Sequence, residues 1–265
     1  MDFNDICLKT REAVGKAVEY IEYQHENRSN LEVEAKGRQN YVTVVDREAE
    51  RILVAKLGEI IPEAGFIAEE GTSSRKGRIY NWIIDPIDGT TNFIHGVPPF
   101  AVSVALAEND EVVSGVIYEF GLREYFYSWK GGGAWMNGKP ISVSKVASVK
   151  DALIATGFPY TNFDYLTEFM NSMRWFMKHS HGLRRMGSAA TDIAYVACGR
   201  YDGFYEYGLN AWDIAAGILI LKEAGGAASD FKGQDNYLFG GKLICSNGLI
   251  QEEFVNAVNR IMETE

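Results

Sequence analysis

Two patterns of apolar residues, one in each half of the chain, limit the folds that this sequence can adopt. From Ile79 to Trp129, short apolar runs alternate with turn residues such as Asn109-Asp110, which is typical of an antiparallel sheet. Beyond Lys150, strand-like runs alternate with helical patterns, which is typical of an α/β arrangement. We therefore expect one unit, residues 1–265, with an α+β half (about 1–147) packed in layers on an α/β half (about 148–265).

The spacing of apolar residues also predicts individual elements. Helical spacing is found at 3–27, 47–61, 165–178, 188–198, 212–224 and 250–262. Strand patterns are found at 42–45, 66–68, 79–84, 100–107, 111–119, 124–129, 152–156, 204–207 and 243–246.

Charge and composition exclude several classes of function. The net charge of -10 argues against a nucleic-acid surface, which needs clustered Lys and Arg. No run is long and apolar enough to span a membrane, and the first residues lack the hydrophobic block of a signal peptide. The three cysteines are far apart, so we expect a protein of the reducing cytoplasm. If such an acidic chain binds a phosphate ester, some of its carboxylates must hold divalent cations.

The segment from Trp82 to Phe93, WIIDPIDGTTNF, is the most informative one for chemistry. An apolar strand leads into Asp85, and Asp88 follows three residues later, so both carboxylates can converge on a cation beyond the strand. Gly89 permits close approach of a ligand, and Thr90 offers a hydroxyl and an amide to a phosphate. The alternative is a turn in which both Asp side chains only cap backbone groups.

Further acidic residues have both a functional and a structural interpretation. The pair Glu69 and Glu70 ends a strand and could supply one metal ligand with a supporting neighbour, or it could be a solvated loop edge. Asp213 lies in the first turn of a predicted helix, where it could complete a metal site with oxygen-only ligands that suit magnesium, or interact only with the helix dipole. Glu206 belongs to the same acidic element, and Asp46 is predicted either as an N-cap or as a catalytic group.

The run from Arg184 to Asp192 places two arginines before a Gly-Ser helix start. Such an arrangement suits a sugar-like ring or a second anion, although a capped helix with a basic flank would look the same. The four histidines show no metal spacing, and no GxSxG, CxxxxxR or Walker sequence is present. The usual serine-hydrolase, cysteine-phosphatase and kinase interpretations are therefore excluded.

The motifs AEEG, DPIDGTTNF, RMGSAA and AWDIAAG, in this order and spacing, resemble those of the inositol monophosphatase family, particularly its bacterial members. The resemblance implies a layered αβαβα fold of the sugar-phosphatase type and a lithium-sensitive, magnesium-dependent phosphomonoesterase, expected to be a homodimer. The substrate would be a small phosphorylated polyol or sugar, foremost myo-inositol monophosphate, with two or three Mg²⁺ per site.

The resemblance also assigns roles to residues. Glu69, Asp85 and the Ile87 carbonyl would bind one magnesium ion, Asp85, Asp88 and Asp213 a second, and Glu69 would assist a weaker third. Asp46 and Thr90 would orient the attacking water, while the amides of Gly89 and Thr90 hold the phosphate. The ring of the alcohol would lie against Asp88, Gly187, Ser188, Ala189, Glu206 and Asp213. Glu70 would support the site, and Arg184 or Arg185 could hold a second phosphate.

Three alternatives stay open at this level. Two keep the chemistry and change the substrate, to fructose 1,6-bisphosphate or to a 3'-phosphoadenosine nucleotide. The third is a non-catalytic binding role on the same fold. Against it stands the complete set of Asp46, Glu69, Asp85, Asp88, Thr90 and Asp213.

Overall fold

The computed structural model describes residues 1–27, 33–37, 40–160 and 163–263, with 33–37 and 40–42 as backbone only. The helices are α1 Phe3–Glu26, α2 Val44–Ile60, α3 Thr90–His95, α4 Leu166–His179, α5 Ala189–Ala197, α6 Ala211–Glu223 and α7 Gln251–Met262. The strands of the first half are β1 Val33–Gly37, β2 Asn40–Thr43, β3 Gly65–Ala68, β4 Tyr80–Asp88, β5 Ala101–Glu108, β6 Glu111–Glu119, β7 Glu124–Trp129, β8 Ala134–Met136 and β9 Lys139–Ile141. Those of the second half are β10 Leu153–Thr156, β11 Gly182–Arg184, β12 Gly203–Tyr207, β13 Ala227–Ser229 and β14 Lys242–Ser246.

Two large sheets organise the molecule. The first has seven strands in the order β3 to β9, antiparallel throughout except that β3 runs parallel to β4. The second has five strands in the order β11-β10-β12-β14-β13, with β10 parallel to both neighbours and β14 antiparallel to both of its own. Strands β1 and β2 form a separate hairpin.

Three apolar clusters hold the helices and sheets together in five layers. One cluster, which includes Trp82, joins α1 and α2 to the outer face of the seven-stranded sheet. A second, around Ile193, packs α5 and α6 between the two sheets. A third, around Phe254, joins α4 and α7 to the outer face of the five-stranded sheet. The predicted αβαβα layering is therefore confirmed.

Small residues let the central helices approach their neighbours closely. A Cβ at Gly217 of α6 would lie 2.9 Å from Ile193 of α5, and a Cβ at Gly115 of β6 would lie 2.8 Å from the Ala216 carbonyl oxygen. Every residue of α5 and most residues of α6 are buried. This packing fixes the N-terminal ends of both helices against the end of β4, where the candidate site lies.

Several sequence predictions can be compared directly with these elements. The hairpin turn is confirmed, because Asn109 and Asp110 both have positive φ, as a type I′ turn requires. The short strands β8, β9, β11 and β13 were not predicted, since three residues are too few to show a period. The predicted start of the second helix, at Arg47, is wrong. Helix α2 begins at Val44, and its N-cap is Thr43 rather than Asp46. Within the described ranges, no helix is both long and apolar enough to cross a membrane.

Candidate active site

A cavity of about 210 Å³ opens between the end of β4 and the N-terminal ends of α5 and α6. Its lining includes these residues singled out from the sequence: Glu69, Asp85, Ile87, Asp88, Gly89, Thr90, Arg185, Gly187, Ser188, Ala189, Glu206 and Asp213. Five of them are carboxylates, and Arg185 is the only cationic side chain among the lining residues of the described chain. The cavity is therefore strongly acidic.

A bulge in β4 brings Asp85 and Asp88 to the same side of the strand. Asp85 is opposite Ser103 of β5, whereas Asp88 is opposite Ala101, so β4 contains one residue more than its partner over this stretch. In a regular strand, residues three apart point to opposite faces, and one extra residue cancels that alternation. The predicted strand ends before both carboxylates, whereas the observed strand continues through Asp88.

The central helices hold the carboxylates in place. One Asp88 oxygen accepts hydrogen bonds from the Ser188 hydroxyl (2.6 Å) and the Ala190 amide (2.7 Å) at the start of α5. One Asp213 oxygen accepts from the Asn210 amide (2.6 Å), in a capping box that opens α6. Asp85, Asp88 and Asp213 each place an oxygen within 4.8 Å of the other two.

Burial and mutual repulsion make this cluster unfavourable as three free anions. Burial raises the pKa of Asp88 to about 6, although the Ser188 and Ala190 hydrogen bonds oppose the rise. Burial and the charge of Asp88 raise the pKa of Asp213 to about 7. Burial raises the pKa of Asp85 well above 3.8, and the charges of Glu69, Asp88 and Asp213 raise it further. A divalent cation would balance these charges, and oxygen-only donors are those that a hard cation prefers.

Glu69 joins the cluster from the end of β3. Its side chain lines the cavity, and it lies close enough to Asp85 for its charge to raise the pKa of that carboxyl. Glu70 is absent from the described cavity lining, and its amide donates to the buried carboxylate of Glu50 in α2 (2.7 Å). The structure thus directs only the first member of the predicted acidic pair into the site.

Asp46 and Thr90 form a hydrogen-bonded pair beside the carboxylates. The Thr90 hydroxyl lies 3.2 Å from Asp46 Oδ1 and 3.1 Å from the Ile87 carbonyl oxygen. Asp46 Oδ2 accepts from both the amide (2.8 Å) and the hydroxyl (2.5 Å) of Thr43. Burial raises the pKa of Asp46, against the effect of these hydrogen bonds. Asp46 is therefore a fixed acceptor whose second oxygen faces Thr90.

Gly89 forms the sharp turn between β4 and α3. Its φ of 92° lies in the left-handed region, and an added Cβ would lie 3.0 Å from the Gly187 carbonyl oxygen. The side chain of Asn92 donates to the carbonyls of Pro99 (2.7 Å) and Met186 (2.8 Å), which ties this turn to the Gly187 loop. The two glycine turns therefore form one wall of the cavity.

Glu206 and Arg185 also line the cavity, and Arg185 lies beside the Gly187 turn, where an added Cβ would lie 2.6 Å from its Nη1. Burial raises the pKa of Glu206 well above 4.5, and Arg185 opposes that rise. The Arg185 guanidinium lies over the rings of Phe158 (4.7 Å) and Tyr160 (5.4 Å) and donates to the Tyr160 hydroxyl. Arg184 is exposed, bonds the Leu183 carbonyl (3.0 Å) and is not among the described lining residues. Of the two arginines, the structure brings only Arg185 to the cavity.

Sequence reasoning missed several residues that shape the site. Tyr160, Asn210 and Gly157 line the cavity, and a Cβ at Gly157 would collide with the Glu206 carboxyl at about 2 Å. Thr43 could have been found, because it precedes Asp46 by three residues, the spacing of a capping box. Tyr160 and Gly157 carry no comparable pattern and were brought to the site by the tertiary fold.

Comparisons with known proteins show which family the chain belongs to. A model of the inositol monophosphatase family matches residues 6–263. The inositol-1-monophosphatase of Mesorhizobium japonicum is 44% identical over 87% of each chain. The fructose-1,6-bisphosphatase/inositol-1-monophosphatase of Thermotoga maritima is 40% identical over 99% of this chain and 98% of that one.

Two further similarities concern proteins named SuhB. The solved structure of extragenic suppressor protein SuhB from Bartonella henselae superposes with a TM-score of 0.92, at 37% identity over 97% of this chain and 99% of that one. The Nus factor SuhB of Pseudomonas aeruginosa is 41% identical over 92% of this chain and 90% of its own. With a family model that spans almost all of its length and relatives of this identity, the chain belongs to the inositol monophosphatase family and is a phosphatase of that family.

Proposed function

We propose that this protein hydrolyses a phosphate monoester in a magnesium-dependent reaction, with myo-inositol monophosphate as the substrate. The observation that carries the proposal is the cluster of Asp85, Asp88 and Asp213, the first two buried, whose oxygens lie within 4.8 Å of one another beside the Thr90–Asp46 pair. A bound cation lowers the pKa of a water, and a neighbouring hydroxyl-carboxylate pair can take up its proton, so the arrangement suits direct attack of water on phosphorus.

The carboxylates divide into two overlapping ligand sets. In the proposal, Glu69, Asp85 and the Ile87 carbonyl hold one Mg²⁺, while Asp85, Asp88 and Asp213 hold a second, and Glu69 assists a weaker third. When bound, the ions lower the pKa of the attacking water and balance the charge of the phosphate. Lithium is expected to compete at the second set and inhibit the reaction.

Thr90 and Asp46 provide the path for the proton. The Thr90 hydroxyl can accept a hydrogen bond from the attacking water while it donates its own proton towards Asp46 Oδ1, 3.2 Å away. Because burial raises the pKa of Asp46, its carboxylate accepts a proton more readily than an exposed aspartate does. Asp46 is thus the base, and Thr90 both connects it to the water and orients the water.

The remaining lining residues bind the substrate. The amides of Gly89 and Thr90, at the turn into α3, donate to the phosphate, since the left-handed turn leaves no side chain in the way. The polyol ring lies against Asp88, Gly187, Ser188, Ala189, Glu206 and Asp213. Carboxylates can accept hydrogen bonds from ring hydroxyls, which favours a polyol over an apolar alcohol.

Fructose 1,6-bisphosphate is the second candidate substrate, and Arg185 is the observation that favours it. Arg185 lines the cavity, close enough to the carboxylate cluster for its charge to lower the pKa of Asp88, and its Nε is buried without a hydrogen-bond partner. The guanidinium of Arg185 could therefore bind the second phosphate of this substrate. Glu70 and Arg184 keep only supporting roles, and a 3'-phosphoadenosine nucleotide is the least favoured of the three substrates.

A second, non-catalytic role is favoured by one finding. Relatives at 41% and 39% identity are named Nus factors, so a binding function on this fold is compatible with the family. The acidic net charge would direct such a role towards protein surfaces rather than nucleic acid itself. The proposal also includes a homodimer in the cytoplasm, as expected from the family.

Phosphate release from myo-inositol 1-phosphate, fructose 1,6-bisphosphate and 3'-phosphoadenosine 5'-phosphate tests these proposals together. We expect magnesium-dependent turnover that is fastest with the inositol ester, suppressed by lithium and lost in Asp88→Asn. Arg185→Gln should raise KM for the bisphosphate more than for the inositol ester. No magnesium-dependent release from any of the three would refute the enzymatic proposal and leave the binding role.

A further inference from the structure

Glu50 is a buried carboxylate that the reaction proposed above does not use. It lies one helical turn after Asp46 in α2 and is fully inaccessible to solvent. Glutamate is almost never fully buried unless its charge is paired or hydrogen-bonded. The contacts of Glu50 therefore indicate what it stabilises.

Both oxygens of Glu50 bind the backbone just beyond Glu69. Oε2 accepts from the Glu70 amide and Oε1 from the Thr72 amide, each at 2.7 Å. Hydrogen bonds from an amide to a charged carboxylate are stronger than neutral ones, and two of them fix both position and orientation. The segment that follows β3 is thus held against α2.

Glu69 is the residue that this attachment orients. Its own amide donates to the Ile84 carbonyl of β4 at 3.2 Å, and the Gly71 amide closes a turn onto the Ala68 carbonyl at 3.3 Å. With Glu50 bonding residues 70 and 72, the turn is restrained on both sides of Gly71. The Glu69 side chain is thereby directed towards Asp85.

Helix α2 connects this turn to the other side of the site. Asp46 and Glu50 are four residues apart, so they lie on one face of the helix. Asp46 accepts a hydrogen bond from Thr90 at the start of α3, and Glu50 accepts one from the turn after β3. One rigid element therefore sets the relative position of the hydroxyl-carboxylate pair and of the cation ligand Glu69.

We propose that Glu50 is a positioning residue for the metal site: it holds the 69–72 turn so that Glu69 faces Asp85, and without it the site binds divalent cations more weakly. This inference rests on the proposed metal-dependent function. Residues that orient metal ligands in this way typically contribute 10- to 100-fold to metal affinity.

Calorimetric titration of the folded protein with Mg²⁺, in the absence of substrate, tests the proposal. In Glu50→Gln, one amide loses its acceptor because the side-chain NH₂ group faces it, and we expect magnesium affinity to fall about 10-fold or more. Glu50 acts through Glu69, so adding E50Q to Glu69→Gln should cause little further loss. Amide exchange at Glu70 and Thr72 should become faster in E50Q.

Glu223 provides a matched control. Its two oxygens accept from the Gly131 and Gly133 amides at 2.7 and 2.9 Å, at the end of α6 remote from the cavity. Glu223→Gln loses the same kind of bond, so it should lower thermal stability but leave magnesium affinity unchanged. If E50Q does not fold, Glu50→Asp, which keeps the charge but is one methylene shorter, replaces it.

The outcomes separate this inference from the proposed function. No magnesium binding by the wild-type protein would refute the proposed function itself. Normal binding by the wild-type protein, with E50Q unchanged or with its loss added in full to that of E69Q, would overturn the role of Glu50 alone.

Discussion

Replacing Asp213 by Asn should stabilise the magnesium-free protein while it weakens the metal site. Asp213 is partly buried beside the buried Asp85 and Asp88, and loss of hydration and the charge of Asp88 raise its pKa from 3.8 to about 7. Asn keeps an oxygen that can accept from the Asn210 amide (2.6 Å), so the capping box of α6 survives. The substitution therefore removes mainly a repelling charge.

The magnitude follows from the pKa difference between the folded and unfolded protein. At about 1.4 kcal/mol for each tenfold change in proton affinity, a rise from 3.8 to about 7 corresponds to about 4 kcal/mol of destabilisation when Asp213 is ionised. Because Asp88 and Asp213 titrate together, part of that cost is shared, and we expect D213N to gain about 2 kcal/mol.

The sign of the pH dependence follows from the same pKa. The folded protein binds the proton more tightly than the unfolded chain, so the cost grows as the pH rises from 3.8 to about 7 and is complete above that range. The advantage of D213N in the free energy of unfolding should accordingly be full at pH 8 and less than half as large at pH 5.

Urea unfolding in EDTA, followed by tryptophan fluorescence at both pH values, measures this difference. With saturating magnesium the wild-type protein should instead be the more stable of the two, since only it gains the full binding energy of the ions. Glu252→Gln removes an exposed acid from the first turn of α7 and should instead cost a few tenths of a kcal/mol. If D213N in EDTA at pH 8 is no more stable than the wild-type protein, repulsion within the cluster is not what destabilises the metal-free fold.

Two further predictions concern the proton path and the packing of the central layer. Thr90→Val removes the hydroxyl 3.2 Å from Asp46 and should lower kcat about 100-fold with magnesium affinity unchanged, whereas Thr10→Val, at a buried hydroxyl far from the site, should leave kcat unchanged. A large fall in magnesium affinity in T90V would contradict the assignment. Gly115→Ala should destabilise the protein by about 1–3 kcal/mol in urea unfolding, because its Cβ would lie 2.8 Å from the Ala216 carbonyl; a neutral effect would show that α6 can move away from β6.

Much of the fold could be predicted from the sequence, because apolar periodicity is a local property. Helix α7 and strands β6 and β7 were predicted within one residue of their observed bounds. The three-residue strands could not be predicted, since their pairing partners define them. The start of α2 was misplaced because the capping box at Thr43 was overlooked, although its spacing is visible in the chain.

The candidate site, too, was predictable from the sequence only in part. The sequence by itself determined which residues carry the chemistry, since a strand that leads into Asp85 and Asp88, and a helix start at Asp213, are local patterns. Only the tertiary structure decided that a bulge in β4 turns both aspartates to one side, and that Glu69 rather than Glu70 faces them. It alone brought Arg185 and Tyr160 into the wall and attached the Glu69 turn to Glu50. The physical reason is that these arrangements arise from packing between segments distant in the chain, which no local period or spacing encodes.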